Sequence, residues 1–359
     1  MKKFLTHPVS WTLWSVLAIA ILPWLVPERT VPHYSDGALR HLALSTGMAS
    51  VPKTYEALLN VVDNPDNPMS REKIALGKRL FFDTRLSRDK TLNCASCHLL
   101  DEGGDDNRPV AIGYHGRANP FHLNSPTVLN AALAKTEFWD GRAKDVEEQA
   151  GGPVQAPFEM NMTPSEVEER LNADGEMRRE FEQVFGDGNI TFTNVRKAIG
   201  AYERTLLTRG AYDDFLDGND SAISPQAKRG LTLFIDKGCK GCHVGMSVGG
   251  QSIQHFPVRR YWSEYLGMVL SPDPKIKTSP YPIEDLGHFR GRNGALEFRV
   301  PILRNITHTA PYFHNGSEKK IEEVVRIMSK YQIGEEFSPK QIEDVVAFLK
   351  TLEGEIVAY

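Results

Sequence analysis

The chain has 359 residues, of which 41% are hydrophobic and 25% are charged, a composition typical of a globular protein of roughly two domains. Its formal net charge of −4 argues against nucleic acid as a partner, because nucleic-acid-binding domains are usually basic. Glycine (29 residues) and proline (22 residues) are frequent, which indicates a high proportion of loops.

Residues 1–30 are typical of a targeting or anchoring segment. Lys2 and Lys3 precede an apolar stretch, residues 9–26, in which Pro23 is the one helix breaker. The stretch is just long enough to span a bilayer and no Ala-x-Ala cleavage site follows, so an uncleaved anchor is favoured over a cleaved signal peptide. Because the lysines stay in the cytoplasm, either interpretation predicts that the rest of the chain is periplasmic.

Helical patterns recur in both halves of the chain. Residues 77–81 and 230–234 share the form Gly-x-x-Leu-Phe, and each is predicted to end an amphipathic helix. Between them, Thr193 is predicted to cap a helix with one apolar face, formed by Val195, Ile199, Tyr202 and Leu206. Near the C-terminus, Ser338 and Pro339 fit the N-cap and N1 positions of a further amphipathic helix.

Two Cys-x-x-Cys-His motifs use all four cysteines of the chain. They comprise Cys94, Cys97 and His98, and Cys239, Cys242 and His243. This motif is the attachment site of a c-type haem: both thiols add to porphyrin vinyl groups and the histidine binds the iron. A zinc site would need four ligands clustered in sequence, and a disulfide or thioredoxin-like pair does not need the histidine. The chain is therefore predicted to carry two covalently bound haems.

These patterns predict a mainly α fold with two cytochrome c-like haem domains in tandem, after the N-terminal hydrophobic segment. The predicted domains are residues 31–207 and 208–359, joined near residues 207–217. The sixth iron ligands decide the chemistry, because a haem with two protein ligands transfers electrons whereas an openable sixth position can bind peroxide or oxygen. Composition alone leaves too many histidine, methionine and tyrosine candidates for these ligands.

The segments around both motifs resemble the bacterial di-haem cytochrome c peroxidase family. The resemblance covers roughly residues 70–355 in the family's order. It is carried by Gln149 and by residues 111–116, 124–130, 138–142, 157–160, 300–305, 310–316 and 328–334. It implies a peroxidase that reduces hydrogen peroxide to water with electrons from a c-type cytochrome, a cupredoxin or quinol. It also implies a homodimer.

The resemblance implies different roles for the two haems. The N-terminal haem is the low-potential, peroxidatic one, and the C-terminal haem is the high-potential one that accepts electrons. Met328 matches the family's methionine ligand, so His243 and Met328 are expected to hold the electron-transfer iron, whose potential the thioether raises. Without the resemblance, Met328 would be interpreted as an ordinary core methionine.

The distal ligand of the first haem is open between several alternatives. The family has an Ile-Gly-His-Gly-like loop, whereas residues 112–116 of this chain are Ile-Gly-Tyr-His-Gly. His115 is the first choice for this iron, followed by Tyr114 and then His122. The alternative interpretation is a haem whose sixth position is permanently open. The glycines on either side of the Tyr-His pair would let the loop swing, as gating requires.

The resemblance assigns three further residues to the reaction. Glu159 matches the general acid/base that takes a proton from the inner oxygen of peroxide and delivers it to the outer oxygen. Gln149 would orient peroxide or water by hydrogen bonding. Trp139 matches a tryptophan between the haems, although a buried core aromatic is its ordinary interpretation.

The family also holds a calcium ion at the domain interface. Its ligands carry over to the side chain of Asn124 and to the backbone carbonyls of Thr309 and Pro311. Oxygen ligands of this kind suit a hard cation, with waters completing the shell.

Two other functions compete with the peroxidase. One is a related oxidase that modifies a protein side chain; those members have tyrosine where Met328 stands and lack a distal histidine. The other is a di-haem electron carrier without a substrate. The carrier leaves Gln149 and Glu159 without a role, so the peroxidase is the preferred hypothesis.

Overall fold

The computed structural model describes residues 32–258 and 282–359. The chain divides into two units, Met1–His33 and Tyr34–Tyr359, and the elements given below belong to the second. The predicted hydrophobic segment, residues 9–26, lies outside the described residues. In the two described ranges, no helix is both long and apolar enough to cross a bilayer.

The described chain is mainly helical with a few three-residue strands, as the sequence predicts. The helices are α1 (Asp36–Ser45), α2 (Tyr55–Val62), α3 (Arg71–Phe81), α4 (Val146–Gln149), α5 (Gly151–Gln155), α6 (Pro164–Asn172), α7 (Gly175–Phe185), α8 (Phe192–Glu203), α9 (Ala211–Leu216), α10 (Pro225–Asp236), α11 (Ile321–Met328) and α12 (Pro339–Lys350). The strands are β1 (Thr208–Gly210), β2 (Ile253–His255), β3 (Glu297–Arg299) and β4 (Gly354–Ile356). β1 pairs with β4 and β2 with β3, both antiparallel.

The same kind of helix pair recurs in each half. α3 packs against α8 and α10 packs against α12, and each pair meets at a glycine. A Cβ atom on Gly77 would lie 1.9 Å from the carbonyl oxygen of Ala198, and one on Gly230 would lie 1.8 Å from that of Asp344. Any side chain there would push the helices apart, which explains why the repeated Gly-x-x-Leu-Phe pattern begins with glycine.

Helix α8 begins two residues before the predicted position. Thr191, not Thr193, is its N-cap, and Leu206 lies beyond its end. The reason is a hydrophobic staple: Ile190 precedes the cap and Val195 follows it by four residues, and both are buried in the core of the first half. Two threonines suit the cap chemically, and the burial of these flanking side chains selects between them.

The ends of α10 and α12 follow the sequence signals closely. Ser338 caps α12 in a capping box and Pro339 occupies its first position, as predicted. Ser224 likewise caps α10, where its side chain accepts the backbone N–H of Ala227, and Pro225 occupies the first position of that helix. Proline suits these positions because the first helical N–H has no partner within the helix.

The predicted junction, residues 207–217, is regular structure that ties distant parts of the unit together. It contains β1 and α9, and Thr208 stands opposite Ile356 in the sheet. In α9, the carboxylate of Asp213 forms two 2.8 Å hydrogen bonds with the guanidinium of Arg304, and both side chains are 0% exposed. A fully buried ion pair of this geometry holds its segments in one register, because either charge alone would be unpaired.

Candidate functional site

The first Cys-x-x-Cys-His motif lies in the wall of a cavity of about 470 Å³. Cys94, Cys97 and His98 all line it. The Nδ1 atom of His98 is 3.1 Å from the carbonyl oxygen of Gly104. This contact makes Nδ1 the donor and leaves the Nε2 lone pair for a metal. Two thiols and an oriented histidine in one cavity wall fit a covalently attached haem.

The four cysteines are neutral thiols in apolar surroundings. Burial raises the pKa of Cys97 to about 12 and the pKa of Cys239 to about 12. It also raises the pKa of Cys94 and of Cys242. A thioether is neutral as well, so attachment to haem adds no buried charge, whereas zinc ligation or redox exchange would need the disfavoured thiolate.

Gln149 and Glu159 both open into the first cavity. Neither side chain has a hydrogen-bond partner in the described part of the chain. Burial raises the pKa of Glu159, and Arg142, which lines the same cavity, opposes part of that rise. A carboxyl with a raised pKa beside a free amide is suited to exchange protons with a small polar molecule and to orient it.

Glu203 is a further carboxyl in the first cavity, one that the sequence did not single out. It is 5% exposed and lines the cavity together with Cys94. Burial raises the pKa of Glu203 well above its ordinary value, and Glu137 and Glu147 add to the rise. Its neighbour Arg204 is 2.6 Å from Glu147 instead. A Glu-Arg pair at a helix end is common on exposed faces, so no local signal marks Glu203.

The predicted distal ligands lie outside the first cavity in this conformation. Its wall includes residues 111–113, whereas His115 is exposed and stacks on Tyr114 with ring centroids 4.0 Å apart. The backbone N–H of Tyr114 donates to the carbonyl oxygen of Glu159 at 2.7 Å. His122 lines neither this cavity nor the second. The choice among these residues stays a prediction.

The second motif lies in a cavity of about 240 Å³ that Met328 also lines. Met328 ends α11, and a π-helical turn, Ser329–Ile333, follows it; such turns are frequent at functional sites. Burial lowers the pKa of His243 to about 4, and the backbone carbonyls of Val248 and Pro301 oppose that shift. A neutral imidazole and a thioether in one apolar cavity fit a haem with histidine and methionine ligands.

Trp139 lies between the two cavities and lines both. Its indole Nε1 donates to the carbonyl oxygen of Asn124 at 2.9 Å. Arg299, in the second half, donates its backbone N–H to the carbonyl oxygen of Trp139 at 2.8 Å and its Nε to that of Phe138 at 3.1 Å. These bonds hold the indole at the boundary between the sites.

The three predicted calcium ligands, Asn124, Thr309 and Pro311, all line the second cavity. Two buried carboxylates of the first half, Asp105 and Asp106, have oxygens without a hydrogen-bond partner in the described chain. Neutral oxygen donors and buried negative charge fit a hard cation. Among the described residues, no three His, Cys, Asp or Glu side chains converge on a metal position, so amide, carbonyl and water oxygens would supply the ligands.

Comparison with known proteins covers both halves of the chain. A di-haem cytochrome c peroxidase family model matches residues 71–221, and a cytochrome c family model matches residues 227–353. The cytochrome c551 peroxidase of Pseudomonas aeruginosa is 41% identical over 293 residues, which cover 80% of each chain. The chain belongs to the di-haem cytochrome c peroxidase family.

Further relatives agree with this membership. The cytochrome c551 peroxidase of Nitrosomonas europaea is 38% identical over 289 residues, covering 80% of this chain and 82% of the relative. The crystal structure of a MauG-like protein associated with microbial copper homeostasis has a TM-score of 0.66 at 29% identity, covering 82% of this chain and 94% of that one.

Family membership confirms the main predictions from sequence. The protein is a di-haem enzyme of the cytochrome-c peroxidase class, built from two haem-type domains. Its substrate is hydrogen peroxide, which it reduces to water with electrons from a redox partner.

Proposed function

We propose that the protein reduces hydrogen peroxide at the first cavity with electrons that enter at the second. The observation that supports this division most is the pair Gln149 and Glu159, two polar side chains of the first cavity that have no hydrogen-bond partner within residues 32–258 and 282–359. In the second cavity, His243 and Met328 are available as two iron ligands. The bound haems supply the iron that binds peroxide at one site and stores an electron at the other.

Two sets of residues would hold the haems. Cys94 and Cys97 would attach the first, with His98 as the iron ligand. Cys239 and Cys242 would attach the second, with His243 and Met328 as the iron ligands. The predicted domain boundary, between residues 207 and 208, assigns one set to each domain.

Glu159 is the proposed general acid/base. Reduction of hydrogen peroxide to two water molecules consumes two electrons and two protons, so a proton must reach the leaving oxygen. Burial raises the pKa of Glu159, and a carboxyl with a raised pKa can both accept and donate a proton. The free amide of Gln149 orients the peroxide beside it.

Trp139 is the proposed electron conduit between the haems. Its indole lines both cavities, and its position is fixed by the hydrogen bond that Nε1 donates and by the one that its backbone carbonyl accepts. An aromatic ring at this boundary shortens the through-space gap that an electron must cross.

His115 remains the proposed distal ligand of the first haem, ahead of Tyr114 and His122. It is exposed, and its backbone has a φ of 56° next to Gly116 at 69°. The loop must therefore rearrange before His115 can enter the cavity. Such a loop movement would gate access to the first site.

The remaining proposals concern location and partners. The hydrophobic segment, residues 9–26, would anchor the protein to the inner membrane and leave its body in the periplasm. There it would take electrons from a c-type cytochrome, a cupredoxin or quinol, and act as a homodimer. A calcium ion would bind to Asn124, Thr309 and Pro311 at the domain interface.

An oxidase that modifies a protein side chain is the second candidate. The crystal structure of a MauG-like protein, which is 29% identical to this chain, has a similar fold. Met328 favours the peroxidase, since the related oxidases have tyrosine at this position.

Replacement of Glu159 by glutamine tests the proposed function most simply. Glu159→Gln keeps the side-chain volume and removes the proton-exchanging carboxyl, so peroxide turnover should fall by about 100-fold or more. Both haem absorption spectra should stay unchanged. Glu182→Gln, at an exposed position of α7, is the matched control and should turn over normally. Full turnover by Glu159→Gln would remove this residue from the acid/base role.

A further inference from the structure

Asp105 and Asp106 are adjacent carboxylates in the interior, which neither the fold nor the proposed reaction explains. Asp105 is 0% exposed and Asp106 is 6% exposed. Neither carboxylate oxygen of Asp105 has a hydrogen-bond partner in the described part of the chain, and Oδ2 of Asp106 has none either. Buried carboxylates without partners are rare because desolvation disfavours them strongly unless a cation or donor compensates.

The segment that carries these aspartates meets both parts of the proposed calcium site. Next to it, a Cβ atom on Gly103 would lie 3.0 Å from Cγ2 of Thr309. On its other side, the carbonyl oxygen of Arg108 accepts a 2.7 Å hydrogen bond from the side-chain amide of Asn124. The aspartates therefore lie between the segment that supplies the Asn124 ligand and the segment that supplies the Thr309 ligand.

Two backbone contacts bring the same part of the first half close to the segment that follows Pro311. The backbone N–H of Asn124 donates to the carbonyl oxygen of His314 at 2.9 Å. A Cβ atom on Gly316 would lie 2.4 Å from Cα of Pro109. The two aspartates, which precede Pro109 by three and four residues, therefore lie near the chain that supplies the third proposed ligand as well.

The charges of the proposed site are unbalanced without these carboxylates. Asn124, Thr309 and Pro311 would offer one amide and two carbonyl oxygens, all neutral, to an ion of charge +2. Waters that complete the shell of such an ion need acceptors for their hydrogens. Asp105 has two free oxygens and Asp106 has one, and together they carry the compensating charge.

The structure assigns Asp105, assisted by Asp106, as the anionic wall of the interface calcium site. In this inference, which rests on the proposed calcium ligands, Asp105 accepts hydrogen bonds from the water ligands of the cation. Asp106 plays the smaller part, because its Oδ1 already accepts the backbone N–H of Arg108 at 3.1 Å. A divalent cation would then be bound directly by neutral oxygens, and the two buried carboxylates would interact with it through its water ligands.

Calcium titration of the haem-loaded protein, first stripped with a chelator, tests this assignment. Isothermal titration calorimetry should give one calcium site in the unaltered protein. Asp105→Asn keeps the shape and removes the charge, and it should weaken calcium binding by at least about tenfold, as for other residues behind a metal's ligands. Asp106→Asn should weaken it less. Asp101→Asn, exposed in the same segment, should bind calcium as the unaltered protein does.

The outcomes separate this inference from the proposals on which it rests. No calcium binding by the unaltered protein would overturn the calcium site and the role of Asp105 with it, while leaving the peroxidase intact. Normal binding by both Asp105→Asn and Asp106→Asn would overturn the anionic wall alone. If Asp105→Asn does not retain its haem spectra, the titration of Asp106→Asn decides, and unchanged affinity there counts against the assignment.

Discussion

The two haem regions share a scaffold and differ in what lines their cavities. Each has a pair of helices in contact at a glycine. In both regions the Cys-x-x-Cys-His motif lies between the two helices along the chain. The first cavity contains Gln149, Glu159 and Glu203, whose side chains have no hydrogen-bond partner among the described residues. The second contains Met328, and no described Asp or Glu lies in its wall. In the proposed function, the same support serves proton-coupled chemistry at one site and electron storage at the other.

Replacing Met328 should have the largest effect on the difference between the two haem sites. Met328→Ala removes the proposed second ligand of the electron-transfer iron while leaving His243 in place. The second haem should lose its methionine–iron absorption in the near infrared, its reduction potential should fall, and it should begin to bind cyanide. Spectroelectrochemistry measures all three, and an unchanged potential would assign the ligand elsewhere.

The glycine contacts test whether the two halves are built alike. Gly77→Ala and Gly230→Ala each place a Cβ less than 2 Å from a backbone oxygen of the partner helix. Each should lower the free energy of unfolding by about 1–3 kcal/mol, measured by denaturant unfolding. Gly37→Ala is the control: it is helical, with nothing within 4 Å of its Cβ, and should be neutral or slightly stabilising. If Gly77→Ala lowers the free energy of unfolding and Gly230→Ala does not, the two helix pairs are not built alike.

Glu203 sharpens the electrostatic difference between the cavities. Its pKa is raised in the folded protein, so the folded chain keeps a proton that the unfolded chain releases. Stability should therefore be fully present below the ordinary glutamate pKa and decrease as pH rises toward the raised value. Glu203→Gln removes this loss, so its denaturation midpoint should exceed that of the unaltered protein at pH 8 and match it near pH 4. An equal difference at both pH values would contradict a protonated Glu203.

The smallest expected effect is on the link between the cavities. Trp139→Phe keeps an aromatic ring and loses the hydrogen bond from Nε1 to Asn124. Electron transfer between the haems should slow several-fold without being abolished. Stopped-flow mixing of the half-reduced protein with peroxide measures this step, and an unchanged rate would show that electrons cross by another route.

The sequence predicted the parts of this molecule that have local signals. The two haem motifs, the helices ending near Phe81 and Phe234, and the cap at Ser338 depend on neighbouring residues, and they follow from spacing and cap chemistry. Thr193 was the wrong cap because the choice of Thr191 depends on the burial of Ile190 and Val195 against distant helices.

The residues that sequence reasoning missed have roles set by distant contacts. The local sequence around Glu203 is of a common kind and does not mark this residue. Only the packing of α8 brings Glu203 beside Cys94. Asp105 and Asp106 follow two glycines just after the first motif, a signal that was visible but has meaning only once the segment lies between Asn124 and Thr309. His115 depends on the state of a loop, which spacing alone does not fix.

Cyanide binding to the half-reduced protein tests the central claim most directly, because cyanide binds an iron only where the sixth position can open. Electron paramagnetic resonance can identify the haem that responds. We expect one cyanide per chain, bound at the first haem, with the second haem unchanged. Cyanide at the second haem, or at neither, would contradict the division of labour between the two cavities.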